Sequence, residues 1–245
     1  MRIVLFSIFG YNIYSHGVFL TLALVIGGYL LFRFAKKENA NTDRFLSNYI
    51  ISVISALIAA RIGFLATNLS LYRNYSDIYK YWQGGLVSFA GFIVGAAVFF
   101  LLLRAQKQKI ALWLDLSSIV FPLAIAIGRI GCVLAGEVGK RYYGTFAYYN
   151  HFPVTAFEIY LGLVVFSINL AIYTYARKYL IKYFLFLNFI MLYSLGRVFI
   201  DTYRADKSLI IGINLSQLTS FVIFTAAFFV FSIYYIKRKG GINEN

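Results

Sequence analysis

Seven runs of predominantly apolar residues organise this chain, and about 20 such residues in a row are what a helix needs to cross a bilayer. They extend from Ser15 to Phe34, Phe45 to Asn68, Gly84 to Leu103, Ile110 to Ile127, Val154 to Ala176, Leu180 to Ile200 and Leu209 to Ile236. Backbone polar groups in hydrocarbon must be satisfied internally, so such runs fold as helices or as closed barrels. These are unbroken and lack the alternation of barrel strands. The expected fold is therefore all-α, a polytopic membrane protein of seven transmembrane helices forming a single integral membrane domain over residues 1–245. Only 13% of the 245 residues are charged and 61% are hydrophobic, far from the roughly 25% charged of soluble domains. The first apolar stretch, Ile3 to Phe9, follows one basic residue and has no small-residue cleavage site. It reads as a short interfacial lead-in to the first span and not as a removable signal peptide.

The net charge is +14, which in a soluble chain would suggest nucleic acid. Its distribution points elsewhere. Arg33, Lys36, Lys37 and Arg44 follow the first span; Arg104, Lys107 and Lys109 the third; Arg177, Lys178 and Lys182 the fifth; and Lys237, Arg238 and Lys239 the seventh. All fall on one side, which the positive-inside rule makes cytoplasmic, so the N-terminus is expected outside and the C-terminus inside. Such clusters suit anionic membrane lipids, and no nucleic-acid partner is expected. The single cysteine, Cys132, excludes an intramolecular disulfide and argues against a thiolate metal cluster, and His16 and His151 alone cannot build one. No metal or organic cofactor is expected.

Charges beside apolar runs are costly unless paired, hydrated or used. Arg129, Glu137, Arg197, Asp201 and Arg204 are such charges, and the charge map puts all five towards the outer face. The fourth run contains Pro122 and passes into Gly128-Arg129-Ile130-Gly131. This predicts a broken helix with an arginine at the break, the half-helix geometry that meets polar ligands; the alternative is an Arg129 that snorkels to the interface. A long outer loop follows, at about 128–153. Arg197, Asp201 and Arg204, spaced i, i+4 and i+7, share one face of a continuing helix, either as an ion-pair ladder or as a phosphate-binding face. Glu158, one turn into the fifth span, either pairs with Arg129, Arg141 or Arg61 or contacts a ligand.

These residues fall in an order that resembles the bacterial prolipoprotein diacylglyceryl transferase family along nearly the whole chain. The similar segments are Ser15-His16-Gly17, Ala60-Arg61-Ile62-Gly63, Trp82-Gln83-Gly84-Gly85 running to Gly91, Gly128-Arg129-Ile130-Gly131 reaching Gly136-Glu137, Pro153 to Glu158, Tyr193 to Arg204, and Leu215-Ser216-Gln217. The resemblance implies a seven-helix enzyme of the bacterial plasma (inner) membrane. It would transfer a diacylglyceryl group from phosphatidylglycerol to the lipobox cysteine of prolipoprotein signal peptides and release glycerol phosphate. By position, Arg129 and Glu137 match the signature arginine and glutamate, Arg197 an essential arginine, Asp201 the acid four residues later and Arg204 the arginine that follows. Where the family has asparagines this chain has Cys132 and Ala135, where it has a histidine in the third span Ala90, where it has a tyrosine His16, and Phe152 replaces the histidine of a His-Pro pair.

For that reaction Arg129 and Arg197 are the expected phosphate-stabilising groups. The thiolate is the nucleophile, so a base is needed, and Glu137 and His16 are the candidates. The catalytic set is Arg129, Glu137 and Arg197. The substrate-binding set is His16, Gly84, Gly85, Gly131, Cys132, Gly136, Glu158, Asp201 and Arg204, with Gly131 and Gly136 allowing backbone to approach the head group and Cys132 lining the site. A lipid-binding relative without this activity and a small-anion transporter are the competing readings.

Overall fold

The structure, a computed structural model, describes residues 4–8, 11–68, 87–141, 145–146, 148, 150–204, 208–210 and 213–241. Trp82, Gln83, Gly84 and Gly85 lie outside the described residues, and so does Gly144. Among those described there are seven α-helices: α1 (Ser15–Lys37), α2 (Phe45–Thr67), α3 (Ser88–Ala105), α4 (Ile110–Leu134), α5 (Val154–Ala176), α6 (Phe184–Asp201) and α7 (Leu215–Gly241). Six of them are long and apolar enough to cross a membrane, and the apolar part of α3, Phe89–Ala105, is shorter.

Two short hairpins interrupt the all-helical expectation. Within the expected lead-in, Val4–Ile8 form a strand, β1, paired antiparallel with β2 (Tyr11–Tyr14). The beginning of the seventh run is not helical either: Ser208–Ile210 (β3) pairs antiparallel with Ile213–Asn214 (β4), and α7 starts only at Leu215. Apolar periodicity cannot separate a short β-ladder from the first turn of a helix in runs of this length.

The chain divides into two compact units, residues 32–110 and residues 1–31 with 111–245. In the first, α2 and α3 pack closely through small residues, as membrane helices do. A Cβ on Gly91 would lie 2.8 Å from the Ala56 carbonyl oxygen, and one on Gly95 2.8 Å from the Ala56 Cβ. Asn48 and Gln106 exchange amide hydrogen bonds of 3.1 and 3.0 Å between these helices. Arg61 belongs to this unit, buried, with its guanidinium 5.9 Å from the Phe64 ring centre.

In the second unit α4 corrects the sequence reading. It is one helix through Pro122, Gly128 and Gly131 to Leu134, not two halves meeting at Arg129. Proline has no N–H to give to the carbonyl four residues back, which here is that of Ser118. Asn169, fully buried on α5, replaces the missing donor: its Nδ2 donates to the Ser118 carbonyl at 3.0 Å. The same amide donates to the Leu185 carbonyl at 3.3 Å and accepts from Asn188 Nδ2 at 2.7 Å, so it ties α4, α5 and α6 together. Replacing Asn169 by leucine would orphan the Ser118 carbonyl and the Asn188 donor. Each such loss costs about 1–3 kcal/mol, so a lowered thermal midpoint in detergent is the expected result, with an unchanged midpoint the result against it.

Asp115 performs a similar service from α4 for the start of α6. Tyr183 precedes that helix with φ of 65° and offers no side-chain cap. The Asp115 carboxylate instead accepts the backbone N–H groups of Tyr183 at 2.9 Å and Phe186 at 3.0 Å, satisfying donors that every helix start leaves open.

Candidate functional site

The end of α4 is a Schellman turn, and it sets the site. Gly136 has φ of 74°, the left-handed conformation that glycine adopts freely. Its N–H reaches the Val133 carbonyl at 3.0 Å and the Glu137 N–H reaches that of Cys132 at 3.1 Å, the paired bonds of that motif. The chain therefore reverses at Gly136 and carries Glu137 back beside Cys132. Gly136 thus has a definite backbone task at this turn. Thr155 at the start of α5 holds the turn by donating to the Glu137 carbonyl at 2.9 Å.

Gly131 brings in α1. A Cβ there would lie 3.1 Å from both the His16 Cα and the Ser15 carbonyl oxygen, and Ser15 Oγ donates to the Gly131 carbonyl at 3.2 Å. The glycine admits the first turn of α1 against α4 and seats the His16 ring on Cys132. His16 Nε2 lies 3.2 Å from Cys132 Sγ and 3.6 Å from Glu137 Oε1. Cys132 is buried, whereas the side chains of His16 and Glu137 are about half exposed. Arg129 Nη1 points to the same sulfur at 3.8 Å.

Arg129 also faces the second half of the site. Glu158, fully buried on α5, has its Oε2 2.8 Å from Arg129 Nε and its Oε1 against Arg197 Nη1. The Arg129 contact is an ion pair without hydrogen-bond alignment, since Oε2 has no aligned donor. Arg197 Nη2 lies 3.0 Å from Oδ1 of Asp201, which is also fully buried, and Arg204 Nη1 lies 3.7 Å from Glu158 and 3.9 Å from Asp201. Among the described residues, three guanidinium groups thus surround two carboxylates. Isolated carboxylates could not stay ionised at such depth, whereas paired ones can.

The structure brings together Arg129, Arg197, Asp201, Arg204 and Glu158 as one cluster, and His16, Cys132 and Glu137 as a second that joins the first through Arg129. Two expectations change in detail. The helix carrying Arg197 and Asp201 ends at Asp201, and beyond it the Arg204 N–H turns back to the Asp201 carbonyl at 3.2 Å. Of the partners considered for Glu158, Arg129 is the one found, and Arg197 and Arg204 join it; Arg141 is exposed and bridged through its backbone to His151. The polar groups that lock Asp201 were not picked out as site residues. Ser216 Oγ donates to Asp201 Oδ2 at 2.7 Å and receives Arg197 Nη2 at 3.3 Å, and Asn214 Nδ2 donates to the Asp201 carbonyl at 3.2 Å. Ser216 stood in one of the recognised segments, but nothing in its spacing announced an ion-pair partner.

The loop after Glu137 is pinned over this region. Gly139 N–H donates to the Phe152 carbonyl and Lys140 N–H to that of Tyr203, both at 2.8 Å. Phe152 stacks on Tyr203 with ring centres 4.2 Å apart and on Phe157 at 4.8 Å. The aromatic residue in the place of the family's histidine therefore has a packing role.

A chain with six helices long and apolar enough to cross a membrane and a buried arginine–carboxylate cluster between them is a multi-pass membrane protein. The family follows from comparison: the chain belongs to the prolipoprotein diacylglyceryl transferase family, whose model matches residues 3–233. It is similar to proteins named phosphatidylglycerol--prolipoprotein diacylglyceryl transferase. That of Clostridioides difficile (strain 630) is 27% identical over 234 residues, covering 89% of this chain and 90% of its own. One from Clostridium perfringens (strain 13 / Type A), numbered 2 in its name, is 27% identical over 258 residues and covers 100% of both chains. One from Clostridium kluyveri (strain NBRC 12016) is 30% identical over 258 residues and covers 97% of both.

Proposed function

We propose that this chain transfers a diacylglyceryl group from phosphatidylglycerol to the lipobox cysteine thiol of prolipoproteins, the first step of bacterial lipoprotein maturation. The observation that carries the reading is the convergence of Arg129, Arg197 and Arg204 on Glu158 and Asp201, which gathers planar multi-donor groups suited to a phosphate at one place. In the reaction the thiol of the peptide gives up its proton, its sulfur forms a bond to the terminal glyceryl carbon of the diacylglycerol, and the bond from that carbon to the phosphate oxygen breaks. Negative charge grows on the departing glycerol phosphate, where fixed guanidinium groups in a water-poor site stabilise it. Arg129 and Arg197 fill that role, and Arg204 and Asp201 set their electrostatics.

Glu137 or His16 takes the thiol proton. Both stand at the exposed side of Cys132, within reach of Arg129 through the sulfur, and general bases of either kind suit a thiol near neutral pH. Gly84, Gly85, Gly131, Gly136 and Cys132 complete the substrate-binding set. The single integral domain spans the plasma membrane seven times, with the N-terminus and the loop at about 128–153 outside and the C-terminus in the cytoplasm. Support for this orientation comes from Lys36 and Lys37 in the last turn of α1, Arg104 in that of α3, and Arg177 and Lys178 just beyond α5.

Purified protein mixed with phosphatidylglycerol and a lipobox peptide is expected to release glycerol phosphate while the peptide gains the mass of a diacylglyceryl group. A peptide with serine for cysteine should stay unmodified. Phosphatidylglycerol binding without release would instead make the chain a lipid-binding relative, and failure of the intact gene to restore lipidation in a transferase-depleted strain would agree with that.

A further inference from the structure

We propose that His16, Cys132 and Glu137 form a site for one soft divalent transition cation such as zinc. One ligand atom from each residue lies within 4.8 Å of the others. A tetrahedral zinc with ordinary bond lengths sets sulfur and nitrogen ligands about 3.6 Å apart and nitrogen and oxygen ligands about 3.4 Å apart. The separations here are 3.2 Å for Sγ to Nε2 and 3.6 Å for Nε2 to Oε1. The sulfur and the carboxylate lie within 4.8 Å of each other, and a rotation of the half-exposed Glu137 side chain would draw its oxygen onto the same centre.

The alternative for a Cys–His–acid trio is a proton relay, and the geometry argues against it. A relay uses both ring nitrogens, one towards the nucleophile and the other towards the orienting acid. Here the sulfur and the carboxylate both face Nε2, the arrangement of ligands around a common point. The trio is also held by backbone: the Ser15 to Gly131 bond fixes the start of α1, and the turn at Gly136 with the Thr155 bond fixes Glu137. Counting cysteines and histidines alone conceals this set, because its third ligand is a carboxylate delivered by that turn.

Charge and ligand softness select the ion. A thiolate and a carboxylate supply two negative charges, and thiolate with imidazole favours zinc or cobalt over magnesium and calcium. Arg129 Nη1 also lies 3.8 Å from the sulfur, and Glu158 balances that guanidinium from its other side. The exposed sides of His16 and Glu137 leave a fourth position for water. A bound cation would occupy both Glu137 and His16, so its binding competes with their role as the base, and the titration reads the site apart from transferase activity.

The test is titration of the full-length protein in detergent with cobalt(II), then displacement by zinc. The expected result is one equivalent of cobalt with a tetrahedral visible spectrum and a near-ultraviolet sulfur-to-metal charge-transfer band. Cys132 is the only cysteine of the chain, so that band has one source and reads the ligand without a variant. Cys132→Ser should abolish the band, and His16→Gln should weaken binding by more than the roughly 10–100-fold typical of outer-shell changes. Folded wild-type protein that shows no charge-transfer band, or binding equally tight in both variants, overturns the site.

Discussion

Arg197→Lys is expected to lower transferase turnover by about 10²–10³-fold, the loss typical when one preorganised donor to a developing oxyanion is removed, while the protein remains folded. The argument rests on the two ends of one guanidinium. Nη1 meets Glu158 on α5, and Nη2 meets Asp201 on its own helix and Ser216 on α7. A planar fork can bridge two carboxylates and still present an edge to phosphate, whereas an ammonium is a point charge that satisfies one partner at a time. Lysine keeps the charge count, so the charge balance of the cluster is unchanged and the loss falls on geometry. If Arg197 acts in the transition state, kcat falls with kcat/KM and KM changes little. Full turnover in a variant that is monodisperse by gel filtration would reduce Arg197 to a member of an ion-pair ladder.

The positions of the helices were legible because a bilayer imposes a length and an apolar composition that the chain states outright. The fifth run, Val154 to Ala176, coincides with α5. What composition could not express was where one polar group would serve another element. Pro122 looks like a break until Asn169, far along the chain, supplies the missing donor; Leu209 looks like the start of a span until β3 and β4 pair. The charged residues of the site could be picked out because burying a charge has a high cost, which makes each one conspicuous in an apolar run. Their mutual geometry was less visible. The i, i+4 and i+7 spacing placed Arg197, Asp201 and Arg204 together, but the carboxylate at their centre, Glu158, comes from a different helix. Similarly, the link from His16 to Cys132 depends on a close approach at Gly131 that no local pattern encodes.

Glu158→Gln is expected to have the larger effect on the protein itself. This carboxylate is fully buried and has Arg129, Arg197 and Arg204 around it. Glutamine keeps the shape and removes the charge, leaving three guanidinium groups with Asp201 as their nearest buried counter-ion. Breaking a buried pair by deleting one partner typically costs 3–5 kcal/mol, roughly, because the remaining charge stays desolvated. The variant should therefore melt well below the wild type and yield less folded protein. The cause can be separated from simple loss of packing by adding Arg204→Gln, which removes the cation farthest from Glu158, at 3.7 Å. If uncompensated charge is responsible, the double variant recovers part of the lost thermal midpoint, a coupling that independent sites would not show. A double variant that is merely the sum of its parts would mean that Glu158 holds the helices by shape, and the electrostatic account of the cluster would fail with it.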